Sequence, residues 1–413
     1  CEVVKMLVIK GKYNYAKIFL NEIDEKTKNQ IKLLLDQEFI KESVIRIMPD
    51  CHCGKGSVIG LTMTLHGKVV PNLVGVDIGC GIKVVNLGNI DIDLPSLDKF
   101  IHDNIPCGMN VNKNIISNRI DIALLRCFKD LKNKTYLKKS ICSLGGGNHF
   151  IEIDFDEDNN KYLIIHTGSR NLGKQVCEIY QNKAIKYQKD KLKLKINNLI
   201  EKLKKENKEK LINEKIKELK KEYFIDDDLC YLEGQLYDDY IFDMDICQKF
   251  ASLNRELIAK KICKYLSLHY KKLKGFESIH NYINMDDLIL RKGSIASYLG
   301  EKVIIPLNMK DGCIIARGKS NKEFNYSAPH GSGRKLSRSE AIKEISLNDF
   351  IKSMEGIYST SIVESTKDES CFAYKDSKQI IDNILSTVEI ISIIKPTYNF
   401  KAVEERKIYG KIK

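Results

Sequence analysis

The 413-residue chain contains no tryptophan, only seven prolines and no run of eighteen or more apolar residues. The missing run excludes a membrane-crossing helix, which needs about twenty such residues. The opening CEVVKMLVIKGKYN lacks the basic, apolar and small-residue succession of a secretory signal, and the natural start is read at Met6 or upstream. Thirteen cysteines are present, an odd number without framework spacing and without a C-x-x-C pair. That argues against a disulfide-stapled or zinc-ribbon scaffold and for reduced thiols in the cytoplasm. There is no internal repeat and no linker rich in Pro, Gly or Ser.

What is present reads as a soluble globular protein, with 43% hydrophobic and 30% charged residues. The net charge of +13 suits a polyanionic partner such as nucleic acid, and equally a coding sequence rich in Lys and Ile. A strand (MLVIKGKY) and an amphipathic helix (EIDEKTKNQIKLLLDQEFI) are expected first. Apolar runs punctuated by glycine follow: VIRIMPD, SVIGLTMTL, VVPNLVGVDIG and IKVVNL. A mostly helical stretch is expected from Leu97 to Lys139. Residues 175–223 place Leu and Ile at helical spacing among Lys and Glu, which predicts a long helix or helical hairpin. That segment is either a solvated charged surface or a basic arm for RNA phosphates. The expectation is one continuous α+β domain over residues 1–413, with central β-sheets, surrounding helices and 175–223 as a basic helical insertion.

Five of the eight histidines sit beside glycine or a turn residue: His52 (DCHCGKG), His149 (GGGNHF), His166 (IHTGSR), His280 (IHNYI) and His330 (PHGSGR). Glycine lets backbone approach a ligand and frees amides for anions. His66, His102 and His269 lie in ordinary contexts. In VGVDIGCGI an apolar strand runs into Asp77 and Cys80, three apart in a turn, so both can face one centre. Carboxylate, thiolate and imidazoles together suit Mn, Zn, Fe or Co, and a thiolate can bridge two ions. In HGSGR, glycine amides and the Arg334 guanidinium can hold phosphate oxygens while the His330 imidazole attacks phosphorus. Asn148, His149 and Glu152 put a metal ligand beside amide and carboxylate groups, and Glu152 can accept from guanine N1 and N2.

MPDCHCGKGSVIG, VGVDIGCG, LGGGNHFIE, HTGSRNLG, HNYI, HGSGRKLSR and AYKD occur in the order seen in RtcB RNA-splicing ligases. The chain resembles that family from about Met6 to Lys401. The resemblance implies joining of an RNA 3′-phosphate or 2′,3′-cyclic phosphate to a 5′-hydroxyl, in RNA repair or tRNA splicing, with GTP and two Mn²⁺ ions. Cys80 would bridge the ions, His166 and His280 would complete one site, and Asp77 and His149 the other. His330 would carry GMP. Asn148, His149, Phe150, Ile151, Glu152, His280, Asn281, Pro306, Leu307, Asn308, Met309, Cys313, His330, Gly331, Ser332, Gly333, Tyr374 and Lys401 would line the GTP pocket. Archease is a candidate partner. The chain departs from the family at a loop, PLNMKDG, where PGSMG is usual, with Leu307 adding bulk and Lys310 charge. Ser332 stands where Ala is usual, and a short charged tail follows Lys401. A metal-dependent phosphoesterase acting on RNA ends is the alternative enzyme, and a basic RNA-binding protein the non-catalytic one.

Overall fold

The computed structural model describes residues 6–403, so the charged tail from residue 404 and the first five residues lie outside it. The expected first strand is shorter than MLVIKGKY, and a second one that was not expected follows it. Leu7–Lys10 and Tyr15–Ile18 pair antiparallel, because Asn14 turns the chain between them. Its amide donates to the carbonyls of Ile40 (2.5 Å) and Ser43 (2.7 Å). The helix Glu25–Leu35 begins where Asp24 accepts from the Thr27 amide at 2.8 Å, an N-cap bond.

Two large sheets organise the mixed α and β elements. The first runs in the order Leu7–Lys10, Tyr15–Ile18, Ile45–His52, Ile59–Thr64, Ile289–Lys292, Asn281–Ile283. The second runs Gly275–Ile279, Gly81–Gly88, Lys161–Thr167, Phe150–Phe155, Val388–Lys401, Gly312–Gly318, Lys302–Asn308. Pairing is antiparallel throughout except between Tyr15–Ile18 and Ile45–His52. His280 is the single residue between Gly275–Ile279 and Asn281–Ile283, so it stands where the chain passes from one sheet to the other.

The helix Gln235–Tyr265 lies across the second sheet and clamps its turns. Arg255, fully buried and paired with Glu277, donates to the carbonyls of Gly79 (2.8 Å) and Thr167 (2.5 Å). Asn254 donates to those of Ser143 (3.0 Å) and Gly168 (3.2 Å). Its Nε and Nη1 are thereby occupied, and removing one partner of such a buried pair costs about 3–5 kcal/mol.

Two further expectations change. Leu97 to Lys139 is not mostly helical: only Leu94–Asn104 and Lys134–Lys139 are α-helices, with short 3₁₀ turns at Ile122–Leu124 and Phe128–Asp130. Pro106 ends the first helix, and distant side chains satisfy the backbone beyond it. Asp243 accepts from the amides of Arg126 (2.7 Å) and Cys127 (2.9 Å), and Asn112 donates to the Ile141 carbonyl (2.7 Å). Pro306, Leu307 and Asn308 are not a loop either. They close the strand Lys302–Asn308 through a β-bulge.

The Lys- and Glu-rich segment forms the helices Arg170–Lys205 and Ile212–Glu222, with Lys195 Nζ 3.5 Å from the centre of the Tyr223 ring across the fold-back. After Ala184 the first helix buries only Leu203, and the second buries no residue. No helix among the described residues is long and apolar enough to cross a membrane.

Candidate active site

Cys80 is the shared member of two ligand groups. One joins it to His166 and His280, the other to Asp77 and His149, with ligand atoms in each group within 4.8 Å of one another. Local structure explains the convergence. Cys80 closes the turn before the strand Gly81–Gly88, and the His280 amide donates to the Cys80 carbonyl at 2.9 Å. His166 lies on Lys161–Thr167, paired with Ile82 on one side and Phe150 on the other. Gly168 follows, and an added Cβ there would sit 2.5 Å from Asp77 Cγ, so only glycine lets that carboxylate approach.

The two histidine tautomers are set from behind. His149 Nδ1 lies 2.9 Å from the Leu144 carbonyl and His166 Nδ1 3.2 Å from that of Asn148, so each Nδ1 donates and each Nε2 is turned to the cluster. Those Nε2 atoms lie 3.5 and 3.3 Å from Cys80 Sγ. His166 Nε2 and His280 Nε2 are 3.3 Å apart, and His149 Nε2 is 3.0 Å from Asp77 Oδ2. Tetrahedral nitrogen and sulfur ligands of a divalent ion stand roughly 3.3–3.6 Å apart, given bonds of about 2.0–2.3 Å. Asp77 Oδ1 is buried without a hydrogen-bond partner among the described residues, as an atom meant for an ion would be. The residues present therefore fit a metal centre.

Electrostatics agree. Burial, then the neighbouring histidines, hold His166 and His280 well below the usual imidazole range, so both are neutral. Burial alone would raise Asp77, but the His149 hydrogen bond and charge outweigh it and keep the carboxylate ionised. Burial and the Asp77 charge push the Cys80 thiol up, so an ion bound there would displace its proton.

Beside this cluster opens a cleft of about 200 Å³. Of the predicted residues, Asn148, Phe150, Glu152, His166, His280, Pro306 to Met309, His330 to Gly333, Arg334, Tyr374 and Lys401 line it. Asp77, Cys80 and His149 are absent from its lining and form the other part of the cluster. Ile151 points to the opposite face of its strand, into the core with Ile153 and Phe400. Cys313 is buried behind Glu152, and Asn281 lies outside the lining, accepting from the Gly293 amide at 3.0 Å. Leu307 is packed among Ile295, Val303 and Ile314, and Lys310 is exposed.

A family model described as tRNA-splicing ligase RtcB matches residues 30–128 and 126–402. The chain belongs to the RtcB family. Among curated relatives of that name, RNA-splicing ligase RtcB1 of Escherichia coli is 29% identical over 394 residues, covering 85% of this chain and 88% of the relative. tRNA-splicing ligase RtcB of Methanococcus maripaludis is 27% identical, covering 81% and 82%. That of Nanoarchaeum equitans is 26% identical, covering 86% of each.

Sequence reading missed two features of this RtcB-family site. Asp50, fully buried at the end of Ile45–His52, accepts from His330 Nδ1 at 2.7 Å and from the His330 amide at 3.1 Å. The MPD motif held the only signal for it. The second is Glu369, whose carboxylate meets Lys401 (2.6 Å), Arg338 (2.9 Å), Arg334 (3.4 Å) and the Tyr374 hydroxyl (2.9 Å). Burial opposes its charge, but Lys401 and both arginines outweigh that and hold it down to about 2. Arg334 is thus already engaged by a carboxylate, where the sequence suggested a guanidinium open to phosphate.

Proposed function

We propose that this chain is a GTP- and Mn²⁺-dependent RNA ligase that joins a 3′-phosphate or 2′,3′-cyclic phosphate end to a 5′-hydroxyl end through a histidine–GMP at His330. Family membership and the names of the relatives support RNA ligation. The observation that carries the nucleophile is the Asp50–His330 pair beside the metal-fitting cluster. With its proton on Nδ1 and donated to Asp50, the imidazole keeps the Nε2 lone pair, and Nε2 has no protein partner among the described residues. His330 also lies against His280, ring centres 4.8 Å apart, which puts that nitrogen next to the metal cluster.

Nε2 attacks the α-phosphorus of GTP. The N–P bond forms, the bond to the bridging oxygen breaks, and pyrophosphate leaves with the electron pair. Asp50 stabilises the positive charge that develops on the ring. An oxygen of the RNA 3′-phosphate then takes the GMP and returns His330 to its neutral form. Attack by the 5′-hydroxyl on the activated RNA phosphate joins the strands and releases GMP. Asp77, Cys80, His149, His166 and His280 would hold two Mn²⁺ ions, which supply Lewis acidity and offset phosphate charge. Glu152 would read the guanine edge, with the Gly331 to Gly333 backbone lining the remaining cleft. The protein would act in the cytoplasm on RNA of repair or tRNA splicing, with archease as a candidate activator.

The phosphoesterase alternative rested on the bulk and charge of PLNMKDG. Lys310 faces solvent, and Leu307 packs with Ile295, Val303 and Ile314 while still lining the cleft, so the ground narrows to the bulk of Leu307. The test is ligation of an RNA bearing a 3′-phosphate to one bearing a 5′-hydroxyl. Joined product that requires both GTP and Mn²⁺ supports the proposal. Loss of the terminal phosphate without joining, and without GTP, supports the phosphoesterase.

A further inference from the structure

Behind the cleft, three neighbouring strands bring a second set of donor side chains together. Glu152 and Asp154 alternate on one face of Phe150–Phe155. Asn399, the cross-strand partner of Glu152, comes from Val388–Lys401, and Cys313 from Gly312–Gly318 beyond it. All four are buried, with Asp154, Asn399 and Cys313 fully so. Carboxylate oxygens of Glu152 and Asp154 and the Cys313 sulfur lie within 4.8 Å of one another. None of them belongs to the Cys80 groups.

This cluster has too many acceptors for its donors. Glu152 receives the Asn399 side-chain amide and has Cys313 Sγ at 3.9 Å. Asp154 is offered at most the single Cys313 thiol proton, which Glu152 also faces, and Oδ1 of Asn399 has no hydrogen-bond partner among the described residues. The same sheet adds apolar neighbours: Phe150, Ile304, Ile315 and Ile394 pack with Cys313. An unpartnered carboxylate in such surroundings costs several kcal/mol, so it is paired, protonated or bound to a cation. The sulfur beside hard oxygen donors favours the cation, because two carboxylates, one thiolate and an amide carbonyl suit a divalent transition metal.

We infer that Asp154, Cys313 and Asn399, with one carboxylate oxygen of Glu152, form a further binding site for a divalent transition-metal ion, separate from the Cys80 centre and directly behind the nucleotide cleft. The site stands independently of the ligase reading. An ion there would tie Val388–Lys401 to both of its neighbouring strands and fix the orientation of Glu152 at the cleft wall.

The test is equilibrium dialysis of the full chain against Co²⁺, followed by metal counting and the thiolate-to-cobalt absorption band. Asp154→Asn and Cys313→Ser are each expected to bind one equivalent fewer than the unsubstituted chain, and Cys313→Ser to lose part of that band. Equal binding by either folded variant overturns the inference and leaves the carboxyl groups holding protons. Circular dichroism establishes folding, and should Asp154→Asn not fold, the milder Cys313→Ser decides the matter. The readout is a difference without GTP or RNA, so it stands whether the Cys80 centre takes two ions, one or none.

Discussion

Asp50 Oδ2 lies 2.7 Å from His330 Nδ1, and the same oxygen accepts the His330 backbone amide at 3.1 Å. One carboxylate oxygen therefore fixes both the position of the imidazole and its tautomer. Asp50→Asn is expected to present an amide N–H to the ring, move the proton to Nε2 and slow GMP transfer to the protein by about 10²–10⁴-fold with the fold intact. The rate of covalent labelling in a single turnover checks this. A rate within a few-fold of the unsubstituted chain would show that Asp50 does not set the tautomer.

Cys80 belongs to both ligand groups, whereas His149 and His166 belong to one each. Cys80→Ala is expected to leave the Cys80 centre with about no bound ion, while His149→Ala and His166→Ala each retain about one of two, as a bridging thiolate requires. Elemental analysis after dialysis distinguishes the three. Equal losses in all of them would argue against a bridging role.

How much of this was legible depended on distance along the chain. The glycine-flanked histidines and the Asp77–Cys80 turn could be read because each carries its signal within a few residues. The Asp50–His330 pair spans 280 positions, and the MPD and PHGSGR motifs mark its two members without pairing them. Glu369 was invisible for the same reason, since its partners Arg334, Arg338 and Lys401 arrive from separate elements. Strand order was also beyond periodicity. Val388–Lys401 pairs with both Phe150–Phe155 and Gly312–Gly318, which no local pattern encodes. The helix expected over Leu97 to Lys139 failed because tertiary side chains, among them Asp243 and Asn112, supply the bonds that a helix would make internally.

Acid stability reports the Glu369 network. Its carboxyl is held down to about 2, against 4.5 ordinarily. A depressed carboxyl adds stability that is fully present above the unfolded value and is lost as pH falls from there toward the folded one. The melting temperature is therefore expected to drop between about pH 4.5 and 2, and Glu369→Gln to flatten that part of the profile. The substitution leaves Lys401 and Arg334 without their carboxylate, while Arg338 keeps Asp368 at 2.8 Å, so it is also expected to destabilise the chain at neutral pH by about 3–5 kcal/mol. Thermal unfolding followed across pH measures both. An unchanged acid slope in Glu369→Gln would refute the assignment.

Gly333 couples the loop that carries His330 to Asp50. Its φ is +70°, and an added Cβ would lie 2.9 Å from Asp50 Cα. Gly333→Ala is expected to cost about 1–3 kcal/mol in backbone strain and to slow labelling by shifting His330 against its carboxylate. Ser332→Ala, a neighbour whose buried hydroxyl has no hydrogen-bond partner among the described residues, is the control that should leave stability within about 0.5 kcal/mol. Comparable losses in both variants would mean that the loop as a whole is fragile and that Gly333 is not special.

The central claim is tested most directly by incubating the chain with GTP radiolabelled at the α-phosphate and Mn²⁺, then denaturing it and asking whether label stays on the protein. The account predicts a covalent, acid-labile label in the unsubstituted chain and none in His330→Ala. No label in the unsubstituted chain, or equal label in His330→Ala, would contradict it.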